Sequence, residues 1–171
     1  MSDVIDTEIE AAEQLLKDDR LAEAQGIFEE VLATQPENIR AILGLGVIAL
    51  KRNELNQAID LFGVATSADP KNAPAFANLS LAYQAKEDFE AAEDCIRHAL
   101  HLSPNEVSFL VTLGFLLIKN NLMDEAKQQF SLAMKLNPQN IDARFGMGCL
   151  LMEQGHMDQA KALFQSCLKD K

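Results

Sequence analysis

The chain has 171 residues, 48% of them hydrophobic and 24% charged, with 26 acidic side chains against 15 basic. That apolar fraction supports a packed core rather than wholesale disorder. A formal net charge of −11 repels phosphate backbones and anionic lipid surfaces, so neither nucleic acid nor a membrane surface is an expected partner.

Residues 1–20 carry no basic stretch followed by a long apolar one, so a secretory signal is not expected. The longest apolar run, Val107 to Ile118, is interrupted by Ser108, Thr112 and Gly114 and is too short to span a bilayer. Cys95, Cys149 and Cys167 are odd in number and widely spaced. They read as reduced thiols packed as small hydrophobes in a cytoplasmic protein.

Pro36, Pro70, Pro104 and Pro138 recur every 34 residues and divide the chain into 5–38, 39–72, 73–106, 107–140 and an incomplete 141–171. Other positions keep the same step. Ala24, Ala58, Ala92, Ala126 and Ala160 form one column, and Phe28, Phe62, Ile96, Phe130 and Phe164 another. A third column is small, with Ala12, Gly46, Ser80, Gly114 and Gly148. Agreement in this many columns marks an internal repeat.

Each period reads as two helices. In the second, Ile42, Leu45, Gly46 and Ala49 share one helical face, and Leu55, Ala58, Phe62 and Ala65 share the next. Asn53 separates them, and its equivalents Asp19, Glu87, Asn121 and Gly155 are mostly types that accept a left-handed helix end. The connectors Asp69-Pro70-Lys71-Asn72 and Asn137-Pro138-Gln139-Asn140 are turn sequences, because proline lacks the amide and disfavours helix before it. Ten short helices are expected in an all-α chain. One helix pair cannot bury its own apolar faces, so neighbours must stack. Small residues in the Gly46 and Ala58 columns then let paired helices approach closely, and Cys167, in the column of Ala65, Ala99 and Ala133, is expected in the core.

The small column, the alanine column, the aromatic column and the spaced prolines together resemble the tetratricopeptide-repeat (TPR) family over nearly the whole chain. The resemblance implies one right-handed solenoid of about five repeats across 1–171, working as a non-catalytic protein-binding scaffold. The first repeat departs from the family pattern, with Glu8 where a large aromatic or Leu is usual and Ala11 in place of Leu. It is expected to be a weak cap. No repeat has the family's frequent Trp, a role Phe76 and Leu110 can fill.

The resemblance also implies a concave groove lined by the first helix of each repeat. The residues that face it are then Leu43, Val47 and Leu50, followed by Asn78 and Leu81, Val111, Phe115 and Ile118, and Phe145, Cys149 and Met152. Such an apolar stripe suits an apolar or amphipathic peptide, with Phe115 at its centre and Asn78 bonding the peptide backbone. The family's carboxylate clamp requires Lys, Asn and Arg at positions held here by Leu43, Val47, Asn78, Ser108 and Thr112, and only Asn78 matches.

Other chemistry is weakly signalled. Gly44-Leu45-Gly46-Val47-Ile48-Ala49 fits a dinucleotide-binding string but falls mid-helix, where packing explains it. Glu153 and His156 have metal-ligand spacing without the second copy such sites need, and Cys95, His98 and His101 diverge around a helix. The sequon Asn78-Leu79-Ser80 is idle on a helix. No histidine falls on an inner face to serve a nucleophile, so neither catalysis nor a cofactor is expected.

Charge is uneven, since residues 1–38 hold eleven acidic and two basic side chains. A solvated cap is the favoured reading, and a handle for a basic partner the sharper one. The last helix should leave Phe164 and Cys167 facing a repeat that is not there, an edge open to self-association or a partner. Two other readings stand beside the scaffold: the repeat arm of a larger transferase, and an acidic secretion chaperone.

Overall fold

A computed structural model describes residues 2–169, with side chains from Val4 to Leu168. These residues form ten α-helices and, among the described residues, no strand. The first helices of the repeats are α1 (Ser2–Lys17), α3 (Ile39–Lys51), α5 (Ala73–Ala85), α7 (Val107–Lys119) and α9 (Ile141–Glu153). The second helices are α2 (Leu21–Thr34), α4 (Leu55–Ala68), α6 (Phe89–Leu102), α8 (Met123–Leu136) and α10 (Met157–Lys169).

The starts of the first helices follow from the turn chemistry. The side chains of Asn38, Asn72 and Asn140 accept from the amides of Ala41, Ala75 and Ala143 at 3.1, 3.1 and 2.7 Å, and so cap α3, α5 and α9. In α7 Glu106 takes this place and accepts from Ser108. The ends are set by one residue per repeat. Asp19, Asn53, Glu87, Asn121 and Gly155 have φ of 59°, 62°, 64°, 61° and 80°. Around Asn53 the amide of Glu54 reaches the carbonyl of Ala49 at 2.9 Å and that of Asn53 reaches Leu50 at 3.0 Å. This is a Schellman closure, which satisfies the last carbonyls of α3 and turns the chain directly into α4.

The chain divides into two compact units, residues 1–88 and 89–171, with α1–α5 in the first and α6–α10 in the second. In the first unit α3 packs on α4, α2 and α1, and α5 on α4 and α3. In the second, α7 packs on α8, α6 and α9, and α9 on α10 and α8.

The aromatic column forms the core of both. Phe28, Phe62, Ile96 and Phe130 are fully buried, as are Ala24, Ala58, Ala92 and Ala126. Within a repeat, a Cβ on Gly114 would lie 2.6 Å from Phe130 Cε1, and Gly46 meets Phe62 in the same way. The repeats also use glycine between one another. Gly44 of α3 lies on the ring of Phe28, and Gly146 of α9 on the ring of Phe130. Both glycines of the Gly44-Leu45-Gly46 string are therefore helix-packing residues in the middle of α3, one against each neighbouring phenylalanine. The Phe130 ring is clasped between two helices, neither of which carries a side chain at the contact.

Candidate protein-interaction surface

The first helices present one side to the second helices and leave another open. On α3, Leu43, Val47 and Leu50 are half-buried. On α5, Asn78 is half-buried and Leu81 is 40% exposed. On α7, Ile118 is half-buried but Val111 is buried. On α9, Cys149 is half-buried, while Phe145 and Met152 are 48% and 44% exposed. Val47, Leu81, Phe115 and Cys149 occupy one repeat position, and none of the four is buried.

Phe115 also reaches the core. Its ring is half-buried and meets the core ring of Phe130 edge-on, with centroids 5.2 Å apart. The side chain is long enough to bend from the open side of α7 to the seam with α8. Phe145 behaves differently because its ring tilts over Phe164 of α10, 5.4 Å away.

The charged ends of the α3 stripe are engaged within the first unit. Arg40 pairs with Glu13 at 3.0 Å and Asp6 at 3.5 Å, and Lys51 with Asp19 at 2.8 Å. Part of the acidic excess of the first repeat therefore faces the basic residues of the second. Each such exposed pair contributes about 0–1 kcal/mol, less in salt. Glu8 and Glu10 remain exposed. Glu8 has no core role, yet Ile9 and Ala12 of the same helix are fully buried, which seats α1 on α2 and α3.

Two features were not visible in the sequence. Arg144 is buried at a position where Ile42 and Leu110 are apolar, and it donates to the carbonyl of Gln139 at 3.1 Å and to Ser166 Oγ at 3.4 Å. A recess of about 790 Å³ in the first unit is lined by Ile42, Ile59, Val64, Leu79 and Tyr83 among others, with Val64 54% exposed. Cys167 lies in the core, as its repeat column implies, where its own repeat buries it and it donates to the carbonyl of Ile141 at 3.7 Å. The edge expected to expose both Phe164 and Cys167 thus leaves Phe164 half-buried and Leu168 69% exposed instead.

Among the described residues no three His, Cys, Asp or Glu side chains are grouped to hold a metal ion. Glu153 ends α9 and His156 lies beyond the left-handed Gly155, so the two do not share a helix face. His98, His101 and His156 are exposed. Burial, assisted by the charge of Glu153, pushes the Cys149 thiol up from its ordinary value, so it is a poor nucleophile near neutral pH. Among the described residues no helix is long and apolar enough to cross a membrane.

The same geometry recurs in known proteins. Among solved structures, pilF of Pseudomonas aeruginosa superposes with a TM-score of 0.89 at 19% identity, over 99% of this chain and 78% of that one. A thermophilic TPR protein of Thermus thermophilus, TTC0263, gives 0.84 at 21% identity, over 97% and 91%. YrrB, described as a TPR protein with an unusual peptide-binding site, gives 0.71 at 21% identity, over 96% and 84%. At these identities the likeness establishes the fold. No curated protein sequence matches the chain. Profiles of the tetratricopeptide repeat match residues 15–82, 73–106, 107–140 and 142–170. With its repeats recognised almost from end to end and its ten helices paired in step with them, the chain belongs to the tetratricopeptide-repeat family.

Proposed function

We propose that this chain is a non-catalytic protein-interaction scaffold, acting as a single array over 1–171 and holding an apolar or amphipathic peptide against its first helices. The observation that carries the reading is the row Val47, Leu81, Phe115 and Cys149, apolar in four successive repeats and in each only partly covered. The equivalent row on the second helices, from Phe28 to Phe130, is fully buried. Partly exposed apolar rows on packed helices are characteristic of surfaces that bind other chains. Leu43, Leu50, Ile118 and Met152 extend the row, and the Asn78 amide offers a donor and an acceptor to an extended backbone. The peptide-binding site named for YrrB is a precedent on the same fold. The three free thiols favour a reducing, cytoplasmic setting.

The test is a peptide-display selection against the folded chain, followed by affinity measurements on Leu81→Glu and Met152→Glu. Both residues are exposed enough for a charge to leave the helices intact. Selected peptides should be apolar or amphipathic and should lose at least about tenfold in affinity to each variant. Peptides that bind both variants like wild type would overturn the proposal.

A further inference from the structure

The recess of about 790 Å³ in the first unit has a lining that runs from Pro36 to Tyr83, and helices precede and follow that stretch. Gly63 of α4 leaves it open, since an added Cβ there would meet nothing within 4 Å. Ile59 and Val64 flank this glycine on α4, and Leu79 and Tyr83 of α5 belong to the same apolar lining. The repeat does not require such a surface. At the position of Ile59 the other second helices carry Gln25, Glu93, Lys127 and Lys161, and at that of Gly63 they carry Glu29, Arg97, Ser131 and Gln165. Only α4 is apolar at the first position and bare at the second, and it leaves Val64 54% exposed. A glycine here weakens the helix without relieving any contact, so packing within the first unit does not explain it.

Charge gives the recess a sign. Asp60 and Glu37 also line it, both are exposed, and neither enters a hydrogen bond or ion pair among the described residues. Other carboxylates of this unit, Asp6, Glu13 and Asp19, are paired with Arg40 and Lys51. No lysine or arginine lines the recess, and Lys86, about one turn beyond Tyr83, donates to Asn56 at 3.0 Å. We infer that the recess binds a cationic amphipathic segment of another polypeptide, with an apolar side chain seated over Gly63 and basic residues against Asp60 and Glu37. The apolar seat follows from burial, because filling it removes Ile59, Val64 and Tyr83 from water. The basic residues follow from complementarity to two unpartnered carboxylates. This surface shares no residue with the row Val47, Leu81, Phe115 and Cys149, and stands independently of it.

Other occupants fit poorly. An acidic segment would set like charge against Asp60 and Glu37. A wholly apolar one would draw both carboxylates out of water without a counterion. A second copy of the chain is a weaker match, since its helices richest in lysine, α8 and α10, also carry Asp124, Glu125 and Asp158 in their first turns.

The probe is a random peptide library displayed against the full chain and counter-selected on Gly63→Leu. That side chain grows into open space, so the variant should melt no lower than wild type while its recess is filled. Peptides that survive should join lysine or arginine to apolar residues. A labelled survivor should bind wild type saturably and lose at least about tenfold in affinity to Gly63→Leu and to Asp60→Lys. Its affinity should also fall as salt rises. Leu81→Glu should leave this binding unchanged, which separates the recess from the surface on the first helices. Failure to recover any peptide after counter-selection, or survivors without basic residues, would overturn the inference. Loss of binding in Leu81→Glu would do the same, by assigning the peptides to the first helices. So would sedimentation showing a wild-type dimer that Gly63→Leu dissolves, since a second copy would then be the occupant.

Discussion

Gly146 of α9 rests on the ring of Phe130, which is clasped from its other side by Gly114 of α7. An added methyl at Gly146 would fall inside the contact distance of three ring atoms. The ring is fully buried and has no free volume to move into. Gly146→Ala should therefore destabilise the chain by about 1–3 kcal/mol through overpacking, less the gain of up to about 1 kcal/mol in helix propensity. Gly26 and Gly63 are also helical, but an added Cβ there meets nothing within 4 Å. Gly63→Ala should stabilise by about 0.5–1 kcal/mol. Urea melts of the two variants, opposite in sign, check the relationship.

Much of this was legible in the sequence because the repeat supplies its own alignment. The column from Ala12 to Gly148 is small in every repeat, so the close approach within each pair could be read directly. The approach between repeats could not. Its column runs Glu10, Gly44, Asn78, Thr112, Gly146, and only the second and fifth members are glycine, so no pattern stands out. Arg144 breaks an apolar column for the same reason, since its burial depends on Ser166 and the Gln139 carbonyl. Register placed Phe115 on the open side of α7, but register does not report how far a ring can bend toward Phe130.

Glu87 holds φ of 64° at the end of α5, where its counterparts are Asp, Asn, Asn and Gly. A left-handed backbone costs an ordinary side chain about 1–2 kcal/mol, while Asn and Gly adopt it more readily. Glu87 is exposed, so no packing is lost on removing it. Glu87→Gly should stabilise the chain by about 0.5–1 kcal/mol after the entropy of glycine in the unfolded state is counted. Asn53→Gly, starting from a residue that tolerates the conformation, should gain less. Gly155→Ala should lose stability, because it puts a side chain at φ of 80°. Thermal melts of the three variants against wild type check this order.

The Cys149 thiol gives a pH signature. Burial is the main cause of its raised pKa, and the carboxylate of Glu153 adds to it. Only the thiolate is alkylated, so at pH 8 Cys149 should react with iodoacetamide more slowly than free cysteine. Its rate should keep rising with pH after that of free cysteine has levelled off. Peptide mapping by mass spectrometry resolves it from Cys95 and Cys167. A rate at pH 7 equal to that of free cysteine would show the thiol to be open to solvent.

Phe115 and Phe145 should separate stability from binding. The Phe115 ring is half-buried and edge-on to Phe130, so Phe115→Ala removes part of the core contact as well as part of the open face. A loss of about 1–3 kcal/mol in stability is expected, below the range for a fully buried aromatic. Its effect on a ligand of the first helices should be large too, at about thirtyfold, which corresponds to roughly 2 kcal/mol. Phe145 is nearly half exposed, and its ring packs on Phe164 at the α10 edge. Phe145→Ala should cost less stability than Phe115→Ala. Thermal melts and the peptide titration, run on both variants, resolve these effects. Loss of the helical circular dichroism signal in Phe115→Ala would mean that the second unit loosens as a whole, and that loss would then account for the binding defect.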